Sequence, residues 1–464
     1  MLLLLFAFVA VQMAVALFLV RKIRCEEDFL LAGRRLGPAL AATSIFATWF
    51  GAESCVGAAG AAYENGLTWN APEPFAYGAC LVLTGLLFAA RLWHLRITTM
   101  ADFLSARFGP STERLAAALL LPSSLLWAAA QIRAFGQVVA VNSDGLFTVQ
   151  VATAIAATVA IVYTVAGGLL ADVYTDVIQC AALLAGLAAL AVAVAYSLPG
   201  EVAPPEGAAA AVDPAAVAAV AAGGWLADFE QWAIPICGSV VAQEVLSRAL
   251  AGRSAAVARK AAIAGGVAYI AVGLVPLSIG AIGPQLLPDL ADPETVLPNL
   301  SRELLPEAMN LLFAGALIAA ILSTVDSCLL VVSSLVTRNL APRSSRDPTA
   351  DRLATARWSV VAGGLVAYAL ATSTYNVAGL VEEASGFGSA GVFVLAVAGL
   401  FTSLGSAVAA NLALVTGLSV WLVGRHLAPD WVAHPYLSAL GAAAVVFLLG
   451  CACTRRRSTP ARDQ

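Results

Sequence analysis

The chain has 464 residues, of which 60% are hydrophobic and only 12% are charged, and its mean hydropathy is +0.86. This composition excludes a soluble globular protein and is typical of a polytopic helical membrane protein, because only a lipid bilayer accommodates so much apolar surface. The formal net charge of −4 says little about partners, since the position of each charge relative to the bilayer matters more than the sum.

Apolar runs along the sequence predict about thirteen membrane-spanning helices, numbered here as spans 1 to 13. Span 1 covers about residues 2–20 and is followed, not preceded, by basic residues, which is the reverse of a signal peptide. The other spans lie near residues 38–62, 74–90, 115–140, 147–166, 176–197, 225–247, 260–282, 309–337, 356–375, 384–402, 406–424 and 435–452. The Ala- and Pro-rich segment 198–224 is predicted to be an external linker.

The basic residues support one orientation of these spans. Of the 25 Lys and Arg residues, 22 fall in the loops on one side, and only Arg133, Arg302 and Arg425 lie elsewhere. Because cytoplasmic loops carry the excess of basic residues, the N-terminus is predicted outside and the C-terminus in the cytoplasm. The sequence thus predicts a multi-pass protein of the cell's inner (plasma) membrane.

Span 9 carries the strongest functional signal, in the stretch LIAAILSTVDSCLLVVSS at residues 317–334. At about 100° per residue, one arc of this helix carries Ala320, Ser323, Thr324, Asp326 and Ser327. A carboxylate within a span is costly and marks an ion or substrate pathway. Oxygen ligands on one arc suit a sodium ion, although a single Ser or Thr in such a helix is explained equally well by bonding to its own backbone.

Two other spans are interrupted by residues that weaken helices. Span 2 has an acidic residue, Glu53, near its centre, among Gly51, Gly57 and Gly60. Span 7 contains Pro235 and Gly238. Paired interruptions of this kind are typical of transporters with discontinuous helices, in which unwound segments line the binding site.

Four stretches resemble the sodium/solute symporter family, in an order and spacing that cover nearly the whole chain. They are DFLLAGRRLG, FATWFGAESCVGAAGAAYENGL, YTVAGGLLADVYTDVIQ and AAILSTVDSCLLVVSSLVTRNL. The resemblance implies an all-α fold with an inverted five-plus-five helix repeat, here spans 2–6 and 7–11. The predicted units are therefore 1–37 (first helix and cytoplasmic loop), 38–404 (transport core) and 405–464 (two C-terminal helices and a short cytoplasmic tail).

The same resemblance implies residues for one or two sodium ions. The common site would use the backbone carbonyls of Ala47, Phe50 and Ala320 and the hydroxyls of Ser323 and Thr324. A second site, present in some relatives, maps to Asp176, Ser323, Asp326 and Ser327. A second sodium ion would compensate the charge of Asp326. Alternatively, a proton or a basic residue on the cytoplasmic side would neutralise this charge, or a wet vestibule on that side would solvate it.

The solute site is less well defined by the resemblance. Where proline carriers have Asp, this chain has Trp49, and the positions that match solute-binding residues of galactose carriers are Ser54 and Glu73. Glu53 and Gly238 are added because they lie at the interruptions of spans 2 and 7. With Trp127 and Trp232, these side chains suggest an aromatic and acidic cavity for an amino acid or another zwitterion or cation, unless the tryptophans only anchor or pack the helices.

The predicted function is a sodium-coupled secondary active symporter that imports a small organic solute by alternating access. The alternative is a transporter-like membrane sensor that acts through a separate partner, since TWFGAE also resembles the input region of certain bacterial sensor kinases. An intramembrane aspartyl enzyme using Asp176 and Asp326 lacks its GxGD context, so the chain is predicted not to be an enzyme. Its expected partners are the solute, sodium ion and the lipid bilayer, with no nucleic acid.

Arg133 is the only basic residue in the interior of a predicted span. An unpaired guanidinium in the membrane costs at least a few kcal/mol. Arg133 is therefore expected to pair with Glu53, Glu230 or Glu244, the alternative being that its side chain extends to the outer surface.

Overall fold

The computed structural model describes residues 10, 30–68, 72–143, 145–166, 169–198, 224–341, 348–373 and 376–457. Within these residues every named element is helical and no β-strand occurs. The first half contains α1 (Pro38–Trp49), a π-helical turn (Glu53–Ala58), α2 (Ala59–Asn65), α3 (Phe75–His94), α4 (Met100–Phe108), α5 (Pro110–Val141), α6 (Val149–Ala166) and α7 (Leu169–Ser197).

The described part of the second half contains ten further helices. They are α8 (Trp225–Val240), α9 (Gln243–Leu250), α10 (Ala255–Leu286), α11 (Val296–Leu304), α12 (Glu307–Ser334), α13 (Pro348–Ala371), α14 (Val377–Gly386), α15 (Ser389–Phe401), α16 (Ala407–Leu422) and α17 (Pro435–Arg457). Short 3-10 or π-helical turns extend or precede some of them.

These helices correspond to spans 2 to 13. Eight are long and apolar enough to cross a membrane alone, three bent pairs pass the same test together, and α6 is a shorter apolar helix. Apart from residue 10, span 1 lies outside the described residues, as does most of the predicted external linker.

Helix α12 lies at the centre of the bundle. Its most apolar stretch is entirely buried inside the protein, because the helix is hydrophobic on nearly all sides. It packs against α5 and α7 and also contacts α1, α6, α9 and α13. The polar arc of span 9 therefore faces other helices rather than lipid.

Three of the spans are bent pairs. The α1–α2 pair bends by 47°, and the α8–α9 and α14–α15 pairs bend by 44° each. The first bend follows Trp49, where Phe50 has an extended backbone (φ −95°, ψ 95°). At the third bend Gly388 has φ +67°, a conformation that favours glycine.

The second bend differs in position from the sequence prediction. Pro235 and Gly238 lie inside α8, and the chain breaks after Val240. Gly238 instead permits close packing, because a β-carbon there would be 2.1 Å from the carbonyl oxygen of Ser385 in α14.

Hydrogen bonds identify the two ends of the bundle. At one, Arg34 donates to the carbonyls of Ile97 (2.7 Å) and Leu250 (3.3 Å). At the other, Tyr63 in α2 donates to the carbonyl of Leu287, just beyond α10. We call these the Arg34 end and the Asn65 end, because α2 ends at Asn65.

Candidate functional site

Four of the five residues predicted for the common sodium site (the sodium set), all except Ser323, lie where α1 breaks against α12. The Thr324 hydroxyl is within hydrogen-bond distance of the carbonyl oxygens of Thr48 (2.9 Å) and Ala320 (3.2 Å). The break after α1 packs against the peptide group of Ala320, because a β-carbon placed on Gly51 would lie 3.9 Å from the Ala320 oxygen. Five residues predicted from span 2 and span 9 thus come from segments in direct contact.

The carbonyls at the end of α1 are available to a ligand. Helical bonding in α1 ends with Phe50 N–H donating to Phe46 O (2.8 Å) and resumes with Cys55 N–H donating to Gly51 O (2.9 Å). The last carbonyls of a helix have no partner within it. Ala47 and Phe50 belong to this stretch, so their oxygens suit a cation whose other ligands come from α12.

Ser323 points to the other side of α12, toward two carboxylates of α7. Its oxygen lies 2.8 Å from Asp172 Oδ1 and 2.6 Å from Asp176 Oδ1. All three side chains are at most 1% exposed. A hydroxyl has one hydrogen, so Ser323 donates to one carboxylate at a time while its lone pairs remain available.

The other members of the second sodium set are only partly brought together. The Ser327 hydroxyl lies 3.0 Å from Asp172 Oδ2 and 2.8 Å from the carbonyl oxygen of Ser323 in its own helix. Asp326 is fully buried beside Tyr163 and Thr164 of α6. Neither of its carboxylate oxygens has a hydrogen-bond partner among the described residues.

An aromatic cluster lies next to the sodium set. The Trp49 ring centroid is 5.1 Å from Trp127 of α5 and 5.4 Å from Tyr77 of α3, and the last two are 6.0 Å apart. Trp49 directly follows Thr48, whose carbonyl meets Thr324. Trp232 lies apart from this aromatic cluster and stacks on Phe75 at 6.4 Å.

A small pocket joins the aromatic cluster to the sodium set. Its volume is about 10 Å³, room for about one water molecule. It is lined by Thr48, Trp49, Ser123, Trp127, Gly238, Ser239, Ala242, Glu244, Thr324, Ala384 and Ser385. A solute therefore enters this central pocket only if the surrounding side chains or broken helices move.

A larger outer cavity of about 500 Å³ lies toward the Asn65 end. It is lined in part by Glu53, Glu73, Tyr77 and Glu382, and no basic side chain is among its described lining residues. Glu53 is 4% exposed, and both its carboxylate oxygens lack hydrogen-bond partners among the described residues. The outer cavity is thus acidic and shares Tyr77 with the aromatic cluster.

Two predicted solute residues, Ser54 and Glu73, are bonded to each other. Ser54 is within hydrogen-bond distance of Glu73 (3.0 Å) and of Tyr269 in α10 (2.9 Å), and Tyr269 donates to the same Glu73 oxygen. These bonds fix Glu73 against the bend of span 2.

The prediction that Arg133 pairs with Glu53, Glu230 or Glu244 is wrong. Its guanidinium lies 3.4 Å from the carbonyls of Ala371 and Ser373, at the C-terminal end of α13, where the helix dipole favours a cation. Glu244 instead accepts from Ser124, and Glu230 accepts from the backbone at Tyr436 and Leu437.

Sequence reasoning missed Arg248 and Asp172. Arg248 was assigned to a cytoplasmic loop, yet it lies within α9 and is 1% exposed. Its guanidinium lies 2.5 Å from Asp172 Oδ2, and the two side chains form a buried ion pair. The spacing of Asp172 and Asp176, four residues apart on one helix face, is the signal that points to both carboxylates.

Proteins similar in sequence to this chain include choline transporters and sodium/pantothenate symporters. The human high affinity choline transporter 1 is 29% identical over 382 residues, which cover 76% of this chain and 63% of the transporter. The sodium/pantothenate symporter of Escherichia coli (strain K12) is 24% identical over 471 residues, covering 96% of this chain and 94% of the symporter. The chain thus spans less than two thirds of the human choline transporter.

Solved structures share the fold. A Na⁺-coupled sialic acid symporter in a substrate-bound, outward-open state has a TM-score of 0.76 at 18% identity, covering 99% of this chain and 98% of that one. A nucleobase-cation-symport-1 family transporter in a closed conformation, with bromovinylhydantoin bound, has a TM-score of 0.63 at 16% identity, covering 94% and 96%. The predicted all-α membrane fold with an inverted repeat and discontinuous helices is confirmed.

A model of the sodium:solute symporter family also matches the chain. It aligns with residues 29–417, which include every residue of the sodium and solute sets. The chain therefore belongs to the sodium:solute symporter family.

Proposed function

We propose that this protein is a sodium-coupled symporter that imports a small quaternary ammonium solute such as choline. One observation carries the proposal: the central pocket is lined both by Thr324 of the sodium set, with its partner Thr48, and by the aromatic residues Trp49 and Trp127. Ion and solute would therefore bind to adjacent parts of the same broken helix.

This adjacency supplies a physical basis for coupling. A sodium ion held by the carbonyls at the end of α1 and by α12 would fix the position of Trp49, which directly follows Thr48 in the chain. A solute held by Trp49 would in turn fix the carbonyls that bind the ion. Coupling of this kind is reciprocal, since each ligand changes the affinity for the other by the same factor.

The chemistry of the lining favours a cation. Aromatic faces attract quaternary ammonium groups, by about 2 kcal/mol or more when the site is desolvated. Glu53, Glu73 and Glu382 line the outer cavity, and Glu244 lines the central pocket. With no basic side chain in either described lining, the route suits choline better than pantothenate, which is an anion. The relatives also support a choline-like solute over an amino acid.

The orientation of the protein follows from its charges. We propose that the Asn65 end of the protein faces outside and the Arg34 end faces the cytoplasm. The N-terminus is then external, as the distribution of basic residues predicts. The acidic outer cavity then faces the compartment from which sodium and the cationic solute enter. An inside-negative potential would drive each charge inward with about 2.3 kcal/mol per 100 mV.

Mutual stabilisation by sodium and solute tests this proposal in purified protein. We expect choline to raise the unfolding temperature much more in sodium chloride than in potassium chloride, because ligands that bind only the folded state stabilise it. The matched control solute is 3,3-dimethyl-1-butanol, which has the shape of choline without its charge and is expected to have little effect. Equal stabilisation by this neutral isostere, or stabilisation by pantothenate alone, would refute a cation-selective site.

A further inference from the structure

Arg248 closes a buried ring of polar contacts beside the sodium set. Its Nη2 lies 2.5 Å from both Asp172 Oδ2 and Ser327 Oγ, and its Nε donates to Ser44 Oγ at 3.1 Å. Ser44 donates to Asp176 (2.6 Å), and the oxygen of Ser323 contacts both carboxylates. The ring links α1, α7, α9 and α12.

The oxygens around Arg248 are those that a small cation would use. They comprise carboxylate oxygens of Asp172 and hydroxyl oxygens of Ser44 and Ser327, and each is buried. Hard monovalent and divalent cations take such oxygen ligands. Here the guanidinium donates to lone pairs that an ion would need, and its charge compensates Asp172.

We propose that Arg248 is a built-in cation, which occupies the second cation position beside the sodium set and so limits the protein to one sodium ion per solute. The inference rests on the proposed function, because it assumes that a sodium ion binds at Thr324. It makes Arg248 a residue that determines stoichiometry. Without its charge, the ring keeps two carboxylates and three hydroxyls in one buried cluster, which would bind a second sodium ion.

Ser323 explains why the two positions would communicate. It directly precedes Thr324 of the sodium set, and its oxygen contacts both carboxylates of the ring. A cation on the carboxylate side of α12 is therefore one residue away from the ion on the α1 side. A purely structural role for Arg248 would need a link between helices but would not predict new sodium binding.

Equilibrium binding of radioactive sodium to the purified full chain, without solute, tests the proposal. We expect one sodium ion per wild-type molecule, one in Arg248→Lys, which keeps the charge, and two in Arg248→Met. The double variant Arg248→Met/Asp172→Asn loses both charges of the ion pair and is expected to return to one. In a parallel sodium titration of the unfolding temperature, only Arg248→Met should show a steeper, two-ion dependence.

The outcomes separate this proposal from the proposed function. Two sodium ions in wild type, or one in a folded Arg248→Met variant, would overturn the role of Arg248 while leaving sodium coupling intact. Absence of sodium binding in wild type would instead overturn the sodium site itself. If Arg248→Met does not fold, Arg248→Gln replaces it, and a count of one for this variant would equally contradict the proposal.

Discussion

Replacing Thr324 with valine is expected to lower the apparent affinity for sodium by about 10- to 100-fold. The side chain keeps its shape but loses the hydroxyl, and an interaction with a charged partner is worth about 1.5–3 kcal/mol, which corresponds to this range. Thr324 Oγ1 touches both the Thr48 and the Ala320 carbonyls, so no neighbouring hydroxyl replaces it without moving a helix. Sodium titration of the unfolding temperature and of solute uptake measures the change.

Two further variants make this result specific. Thr158→Val is the matched control, because Thr158 is exposed on α6 and donates only to Ala154 of its own helix at 2.8 Å. It should leave the sodium affinity unchanged. Thr324→Ser keeps the hydroxyl and should retain most of the affinity. If Thr324→Val binds sodium as tightly as wild type, Thr324 is not an ion ligand.

Replacing Trp49 with leucine is expected to weaken choline binding by about 30-fold. Leucine keeps an apolar side chain but has no aromatic face, and a desolvated cation–π contact contributes about 2 kcal/mol. Trp49→Phe keeps an aromatic ring, but one that attracts a cation less strongly, so this variant should lose an intermediate amount of choline affinity. The measurement is the choline concentration that gives half-maximal stabilisation at saturating sodium.

A tryptophan outside the aromatic cluster provides the control. Trp358 is 72% exposed on α13, and Trp358→Leu should not change choline affinity. Because the effect depends on charge, the weak binding of the neutral isostere 3,3-dimethyl-1-butanol should hardly change in Trp49→Leu. A similar loss for choline and for the isostere would mean that Trp49 contributes shape and apolar contact rather than attraction to a cation.

Much of the fold could be predicted from the sequence because a bilayer imposes simple rules. Apolar runs of sufficient length must be helices, and the described helices reproduce the predicted spans from the second onward. The family resemblance is confirmed by the match over residues 29–417. Since this is a family of transporters, the prediction that the chain is not an enzyme is confirmed as well.

The site was predictable where helical periodicity decides the geometry. Thr324 lies at one edge of the predicted arc and Ser323 lies about 100° away, toward the other edge at Asp326. The structure directs Ser323 to α7 and Thr324 to α1. The assignments of sodium to these side chains, and of a second ion to Asp176, Asp326 and Ser327, stay predictions. The role proposed for Arg248 would limit the protein to a single sodium ion.

Contacts between segments that are distant in the chain could not be predicted from one sequence. Tyr77 stands in an apolar run of span 3, and only the packing of α3 on α1 and α5 gives it a place in the aromatic cluster. Arg248 follows an apolar segment as loop residues do, but the bend after Val240 turns it into the core. Such positions depend on tertiary packing rather than on local pattern.

Uptake of labelled choline into proteoliposomes tests the central claim most directly. With sodium outside only, we predict accumulation of choline above its external concentration, and a further increase when potassium and valinomycin impose an inside-negative potential. If one sodium ion accompanies each choline, two charges enter together, and 100 mV would contribute about 4.6 kcal/mol to the driving force. Uptake that is the same after sodium is replaced by N-methyl-D-glucamine, or no uptake by a folded protein that binds both ligands, would contradict sodium-coupled transport.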